Sequence, residues 1–234
     1  MRTTLPLLLA GAMLASPADA AIRNFGISTF DRIRVEGPFK VRLNNGVAPF
    51  ARASGDPRAL EAVRVEVQGR TLFVRSSQNA WGGYPGESSG PVDVEVGTHE
   101  LSSAWLAGSG SLHIDKVKAL TFDLSVQGSG AGGIARADVD QLRIAVGGTG
   151  TVLVAGKSAK LTTIVRGVSS LDANGLDTKD ADISAEGPAT ILAHVTNSAK
   201  VAGSGVATIT LSGAPSCITR TSGSATVSGC RSTQ

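Results

Sequence analysis

Between residues 107 and 193 apolar and polar side chains alternate in short runs, and glycine interrupts the runs at regular intervals. The longer runs carry Leu120, Phe122, Leu124 and Val126; Leu142, Ile144 and Val146; Leu161, Thr163 and Val165; and Ala181, Ile183 and Ala185. After a marker glycine the alternation also appears in shorter runs: Leu112 and Ile114, Val152 and Val154, Leu171 and Ala173, Ile191 and Ala193. A period of two predicts strands with one buried face. No stretch here has the 3.6 period of a helix.

The punctuation repeats too. Gly108-Ser109-Gly110, Gly128-Ser129-Gly130 and Gly148-Thr149-Gly150 share one form. With the first glycine as marker, the series runs Gly108, Gly128, Gly148, Gly167, Gly187, Gly203 and Gly223, in steps of 20, 20, 19, 20, 16 and 20. Gly205 stands beside Gly203 as a further turn glycine. A fixed period near 20 is the mark of a solenoid. A strand, a Gly-rich turn, a strand and a second turn cannot bury an apolar face alone, but stacked copies can. The expected fold is all-β: a right-handed parallel β-helix with coils of about 20 residues, its hand following the rule for parallel connections. Seven coils at roughly 4.8 Å give a rod of about 30 Å. Glycine at the corner admits φ > 0, and Ser or Thr beside it is small enough to stack.

Upstream the pattern is less regular. Ile33 and Val35 alternate with charges, and so do Phe39, Val41 and Leu43, with Gly37-Pro38 bending the chain between them. Pro49 to Ala53 is expected as an edge strand. Asp56 is a good N-cap and Pro57 a good first residue for one short helix, to about Ala62. Val63 to Val67 and Leu72 to Val74 read as strands around Gly69-Arg70. Ser76 to Gly90 is a Gly/Ser-rich loop, and Val92, Val94 and Val96 resume the strands.

Residues 1–20 stand outside this scheme. Arg2, an apolar run from Leu5 to Ala15 and Ala18-Asp19-Ala20 make an export signal with an A-x-A cleavage site. The run is too short to span a membrane. The expected mature chain, 21–234, is a single domain with N-terminal strands and cap over 21–98 and regular repeats over 99–234. It keeps the net charge of +3, because cleavage removes one Arg and one Asp. The chain is 41% apolar but only 4% aromatic, so Val, Leu, Ile and Ala must fill the core, which suits narrow coils. Charges of both signs are scattered, and nucleic-acid binding is not expected. An exported chain with Cys217 and Cys230 near its end is expected to bridge them, with two free thiols as the alternative.

The chemical motifs dissolve on inspection. Gly128 to Gly133 fits G-x-G-x-x-G, but no helix follows it. Gly156-Lys157-Ser158 ends like a P-loop, but a strand-like run separates it from Gly150. Gly86-Glu87-Ser88-Ser89-Gly90 fits G-x-S-x-G inside a loop, without the strand and helix of a nucleophile elbow. His99, His113 and His194 have no metal-ligand spacing. Asp123 and Asp182 hold the same place in their repeats, three coils or about 14 Å apart, too far for a paired acid and base. No catalytic residue, cofactor or metal is expected. Trp81 and Tyr84 are candidates for contact with a ligand or partner, or for capping the rod.

Phe30-Asp31-Arg32-Ile33-Arg34-Val35-Glu36-Gly37-Pro38-Phe39-Lys40-Val41 resembles the opening of the putative auto-transporter adhesin head GIN domain family. Gly55-Asp56, Leu60, Val63 to Val67 and Thr71-Leu72 continue the resemblance. So do the Gly-Ser-Gly repeats, and Leu211 to Pro215 followed by Ser222-Gly223-Ser224. It spans about residues 29–229. It implies a β-helical domain of the bacterial envelope or exterior, and no catalytic residues. The expected function is a non-enzymatic structural or interaction module, with adhesion as one such role. Its partner would be an envelope or cell-surface protein or glycan, and its flat faces also suit self-association. The alternative is a carbohydrate-binding or polysaccharide-degrading β-helix.

Overall fold

The computed structural model describes residues 21–77 and 91–231. The chain begins with β1 (Ala21–Phe25), β2 (Arg32–Glu36), β3 (Lys40–Asn45) and β4 (Phe50–Gly55). The helix α1 (Pro57–Glu61), β5 (Val63–Gln68), β6 (Thr71–Ser76) and β7 (Asp93–Thr98) follow. Then come β8 (Ser103–Gly108), β9 (Ser111–Ile114), β10 (Val117–Gly128), β11 (Ala131–Gly148), β12 (Thr151–Gly167), β13 (Ser170–Glu186) and β14 (Thr190–Ser204). β15 (Thr208–Ser212), β16 (Ser216–Thr221) and β17 (Thr226–Ser228) finish it. The result is a β-solenoid of about six turns of stacked parallel coils, with one short helix.

Parallel pairing holds each coil in register with the next. Phe122 pairs with Leu142, Leu142 with Leu161 and Leu161 with Ala181. The apolar positions therefore form continuous ladders, and Phe122, Leu124, Leu142, Leu161 and Leu171 are all buried. Each coil has three sides, where the sequence predicts two strands and a turn. The first side leads into the corner glycine and the second leaves it. A third, short run pairs Val117–Ala119 with Ala137–Val139 and continues to Gly156 and Ser158, then Leu176 and Thr178. It escapes the sequence because alternation changes phase at the bend. Leu120 shows this. Read as a core position, it is 77% exposed, while Val117 and Phe122 on either side of the bend are buried.

The first corner is a column of glycines. Gly37, Gly108, Gly128, Gly148, Gly167, Gly187, Gly205 and Gly223 all have φ between +72° and +116°. They also touch: a Cβ on Gly128 would sit 2.7 Å from the Gly108 carbonyl oxygen, and one on Gly148 would sit 2.7 Å from that of Gly128. The second glycine of each tripeptide serves a different need. Gly110, Gly130 and Gly150 point inward, and a Cβ on Gly130 would lie 2.7 Å from the Gly110 oxygen. Later coils put Ser169, Ala189 and Ala207 at that place, all buried. Gly203 departs from its expected role. It lies within β14, paired with Ala185 and Thr221, and Gly205 is the corner residue. The coil that looks 16 residues long in the sequence is therefore closer to its neighbours in size.

The N-terminal end is built out of chain order. β2 and β3 already form a coil inside the stack, β2 between β6 and β8 and β3 between β7 and β9. β4 is not an edge strand: it pairs antiparallel with both β1 and β7. β5 turns back on β6 through Gly69. In α1 the Asp56 carboxylate accepts hydrogen bonds from the amides of Arg58 (2.9 Å) and Ala59 (3.4 Å), while Ala59 and Leu60 are buried.

The core has polar flaws. Thr163 is 1% exposed, stands between Ile144 and Ile183 in their ladder, and its hydroxyl has no hydrogen-bond partner. An unpaired buried hydroxyl carries its full desolvation cost. Thr163→Val is expected to stabilise the protein by about 1 kcal/mol, seen as a higher urea midpoint at unchanged slope. A lower midpoint would show that the hydroxyl is satisfied.

Candidate interaction surface

Register decides what the outside looks like, because residues one repeat apart become neighbours. On the first side the N-terminal coils place Phe73, Arg34 and Trp105 in one outward column. The Arg34 guanidinium lies 3.6 Å from the Trp105 ring centroid and donates to Glu36 at 2.6 Å. Arg75 lies 5.7 Å from the Phe73 ring and pairs with Glu66, which also accepts from Arg64 at 2.7 Å. Against the desolvation of its position, the hydrogen bonds of Arg64 and Arg75 hold the Glu66 carboxyl below its usual pKa. Beyond Trp105 the column continues with Ser125, Ala145 and Ile164.

The same rule pairs the charges. Asp123 meets Arg143 at 3.7 Å, Lys118 meets Asp138 at 3.9 Å, and Arg166 meets Glu186 at 2.9 Å. Asp180 accepts from Ser198 and from Asn197 (2.8 Å), and these bonds, Ser198 first, hold its pKa below the usual aspartate value. A depressed folded pKa gives stability that is present above the unfolded value and lost as pH falls through the folded one, below about pH 4. Ser198→Ala is expected to move the Asp180 titration back up, by side-chain carboxyl NMR. An unmoved curve would assign the shift to another cause.

Asp123 and Asp182 stand in one column with Arg143 and Thr162 between them, so three coils do separate them. His99 and His113 are exposed, and His194 Nδ1 lies 2.9 Å from the Ser212 hydroxyl. Among the described residues no group of three His, Cys, Asp or Glu side chains is placed to hold a metal ion. Cys217 and Cys230 are joined by a disulfide in the last coil. Trp81, Tyr84 and the Gly86–Gly90 motif lie outside the described residues, as does the 1–20 segment. Among the described residues no helix is long and apolar enough to cross a membrane.

A groove of about 440 Å³ crosses the third side near its N-terminal end. Its rim carries His99, Glu100, Lys116, Lys118, Arg136 and Asp138, and its floor includes Val117 and Ala137.

Residues 29–215 match the model of the family described as "Putative auto-transporter adhesin, head GIN domain". The chain belongs to this family. The head GIN match stops at Pro215, one residue short of β16, so the disulfide coil lies beyond it. No curated protein matches the chain. Solved structures with the same fold include the following three. A putative adhesin from Bacteroides fragilis is 18% identical, with 90% of this chain and 97% of that one covered and a TM-score of 0.74. One from Parabacteroides merdae is 18% identical, with 90% and 95% covered and a TM-score of 0.69. A putative lipid binding protein from Parabacteroides distasonis is 20% identical, with 90% and 96% covered and a TM-score of 0.67.

Two features of this head GIN surface were missed from the sequence. Trp105 meets Arg34 across a separation of 71 residues, through a β2–β8 register that no local pattern reveals. Lys116 and Arg136 were legible in principle, since each follows its corner glycine by eight residues.

Proposed function

We propose that this chain is an exported, non-enzymatic module of the bacterial envelope that binds a surface molecule through its flat strand faces, in adhesion. The observation that carries this is the outer surface itself. Its flat in-register strand faces carry exposed charges, three of them joined across coils to a partner (Asp123 to Arg143, Lys118 to Asp138 and Arg166 to Glu186), and its two column-sharing aspartates stand three coils apart. That arrangement suits a rigid contact surface, and three coils is beyond glycosidase spacing for those two aspartates. Membership of a family described as an adhesin head supports the same reading, and with it a location at the cell surface or beyond.

The test is retention of envelope material by immobilised 21–234, with a glycan array run in parallel. Retention of a protein or glycan without turnover supports the reading. Measurable glycan cleavage overturns it in favour of a carbohydrate-degrading solenoid. A glycan signal lost in Trp81→Ala or Tyr84→Ala would place the contact in the 76–90 loop.

A further inference from the structure

We infer that the groove on the third side binds a carboxylate-bearing polysaccharide, with Lys116 and Arg136 as the cations that hold successive acid groups. The inference rests on the adhesion reading and specifies its ligand class.

Lys116 directly precedes Val117 and Arg136 directly precedes Ala137, and Val117 pairs with Ala137. The two cations are thus neighbours in adjacent coils, roughly 4.8 Å apart along the rod at the backbone. Both are exposed, and among the described residues neither side chain has an ion pair or hydrogen bond. The in-register geometry that joins Asp123 to Arg143, Lys118 to Asp138 and Arg166 to Glu186 leaves these two cations outside such pairs and side by side at the groove.

Two acids near these cations are already engaged. Asp115, beside Lys116, spends its carboxylate on backbone amides, accepting from Asn45 at 2.9 Å and from Lys116 at 2.6 Å. Asp138 faces Lys118. Gly46 has no side chain and φ +80°, and the end of Lys116 lies within 3.5 Å of where its Cβ would be. The Lys116 stem therefore rests over the turn at Gly46, at one end of the groove.

Charge complementarity then selects the occupant. Two unpaired cations at coil spacing match a linear chain that bears an anion on successive units. Glu100, Asp138 and His99 on the rim supply acceptors and a ring nitrogen for hydroxyl groups. A membrane surface fits less well, because no large exposed apolar side chain lines the groove to enter a bilayer.

The experiment is binding of the chain 21–234 to polygalacturonate and to a neutral glucan by calorimetry, at two salt concentrations. The expected result is binding to the uronate polymer only, weaker at high salt. The double variant Lys116→Gln/Arg136→Gln should weaken it by about tenfold or more. Lys200→Gln/Arg220→Gln, with the same loss of charge on the first side, should leave it nearly unchanged. Equal loss in both pairs would reduce the effect to net charge and overturn the site. So would binding to anionic lipid vesicles in place of the polymer. If the wild type ignores uronates yet still retains envelope material, the groove proposal falls and the adhesion reading stands. If it retains neither, both fall.

Discussion

Gly148→Ala is expected to cost about 3 kcal/mol or more of folding stability, the combined scale of a left-handed L-residue and an overpacked contact. Two costs coincide at this residue. Its φ is +91°, a conformation that side chains rarely adopt, and its new Cβ would meet the Gly128 carbonyl oxygen at 2.7 Å. That oxygen is not free to move, because it accepts the Thr149 amide at 2.9 Å. A relaxed corner would shift this bond and disturb the next glycine, since a Cβ on Gly167 already has the Gly148 oxygen only 2.6 Å away. Gly133→Ala is the control. Its φ is outside the left-handed region, and its Cβ would meet His113 and Leu153 at 3.4–3.5 Å. It should change stability by less than about 0.5 kcal/mol. Urea midpoints of the two variants check the claim. Similar midpoints would mean that the column is a consequence of the fold and not a condition for it.

The second large effect is at the other end of the rod. Replacing both Cys217 and Cys230 by serine is expected to remove about 3 kcal/mol, the chain-entropy value for a loop of this length. The partners are 13 residues apart in sequence. The loss should be local, because each coil of a solenoid leans only on its neighbours. The last coil has little else to hold it. The positions facing Ala199, Val201 and Gly203 are Cys217, Thr219 and Thr221, and both threonines are exposed. Hydrogen exchange should therefore accelerate over 216–231 and stay slow over β11 to β13. Uniform acceleration would show that the coils unfold as one unit. Unchanged protection at 216–231 would show that the bridge contributes nothing there.

How far the sequence carried the fold depended on whether a feature was local. The two-residue alternation of Leu124, Val126 and the positive-φ corner at Gly128 are each fixed within a few residues, and the repeat then fixed the register between consecutive coils. Asp56 and Pro57 announced α1 for the same reason. Leu120 was misplaced because a bend inside a continuous strand shifts the alternation without a glycine or proline to mark it. Gly203 was misplaced because two glycines two residues apart compete for one corner, and only stacking on Gly187 decides for Gly205. β4 was misjudged because its neighbours β1 and β7 come from distant parts of the chain. The groove follows the same division. The Lys116–Arg136 pair is one repeat apart and was available. Its neighbours Gly46 and His99 arrive through pairings of β3 and β7, over separations that a periodic pattern does not encode.

The glycine column makes the interior a counter that accepts only whole turns. A segment of about 20 residues added at one corner would return the chain to the next corner with every inward side chain still facing in. A segment of about ten would stop between corners, setting bends against strands of the coil below and breaking both the glycine column and the apolar ladders. Lengthening this rod is therefore cheap in units of one repeat and ruinous in fractions of it. The spacing of charges and rings along its outside changes in the same quanta.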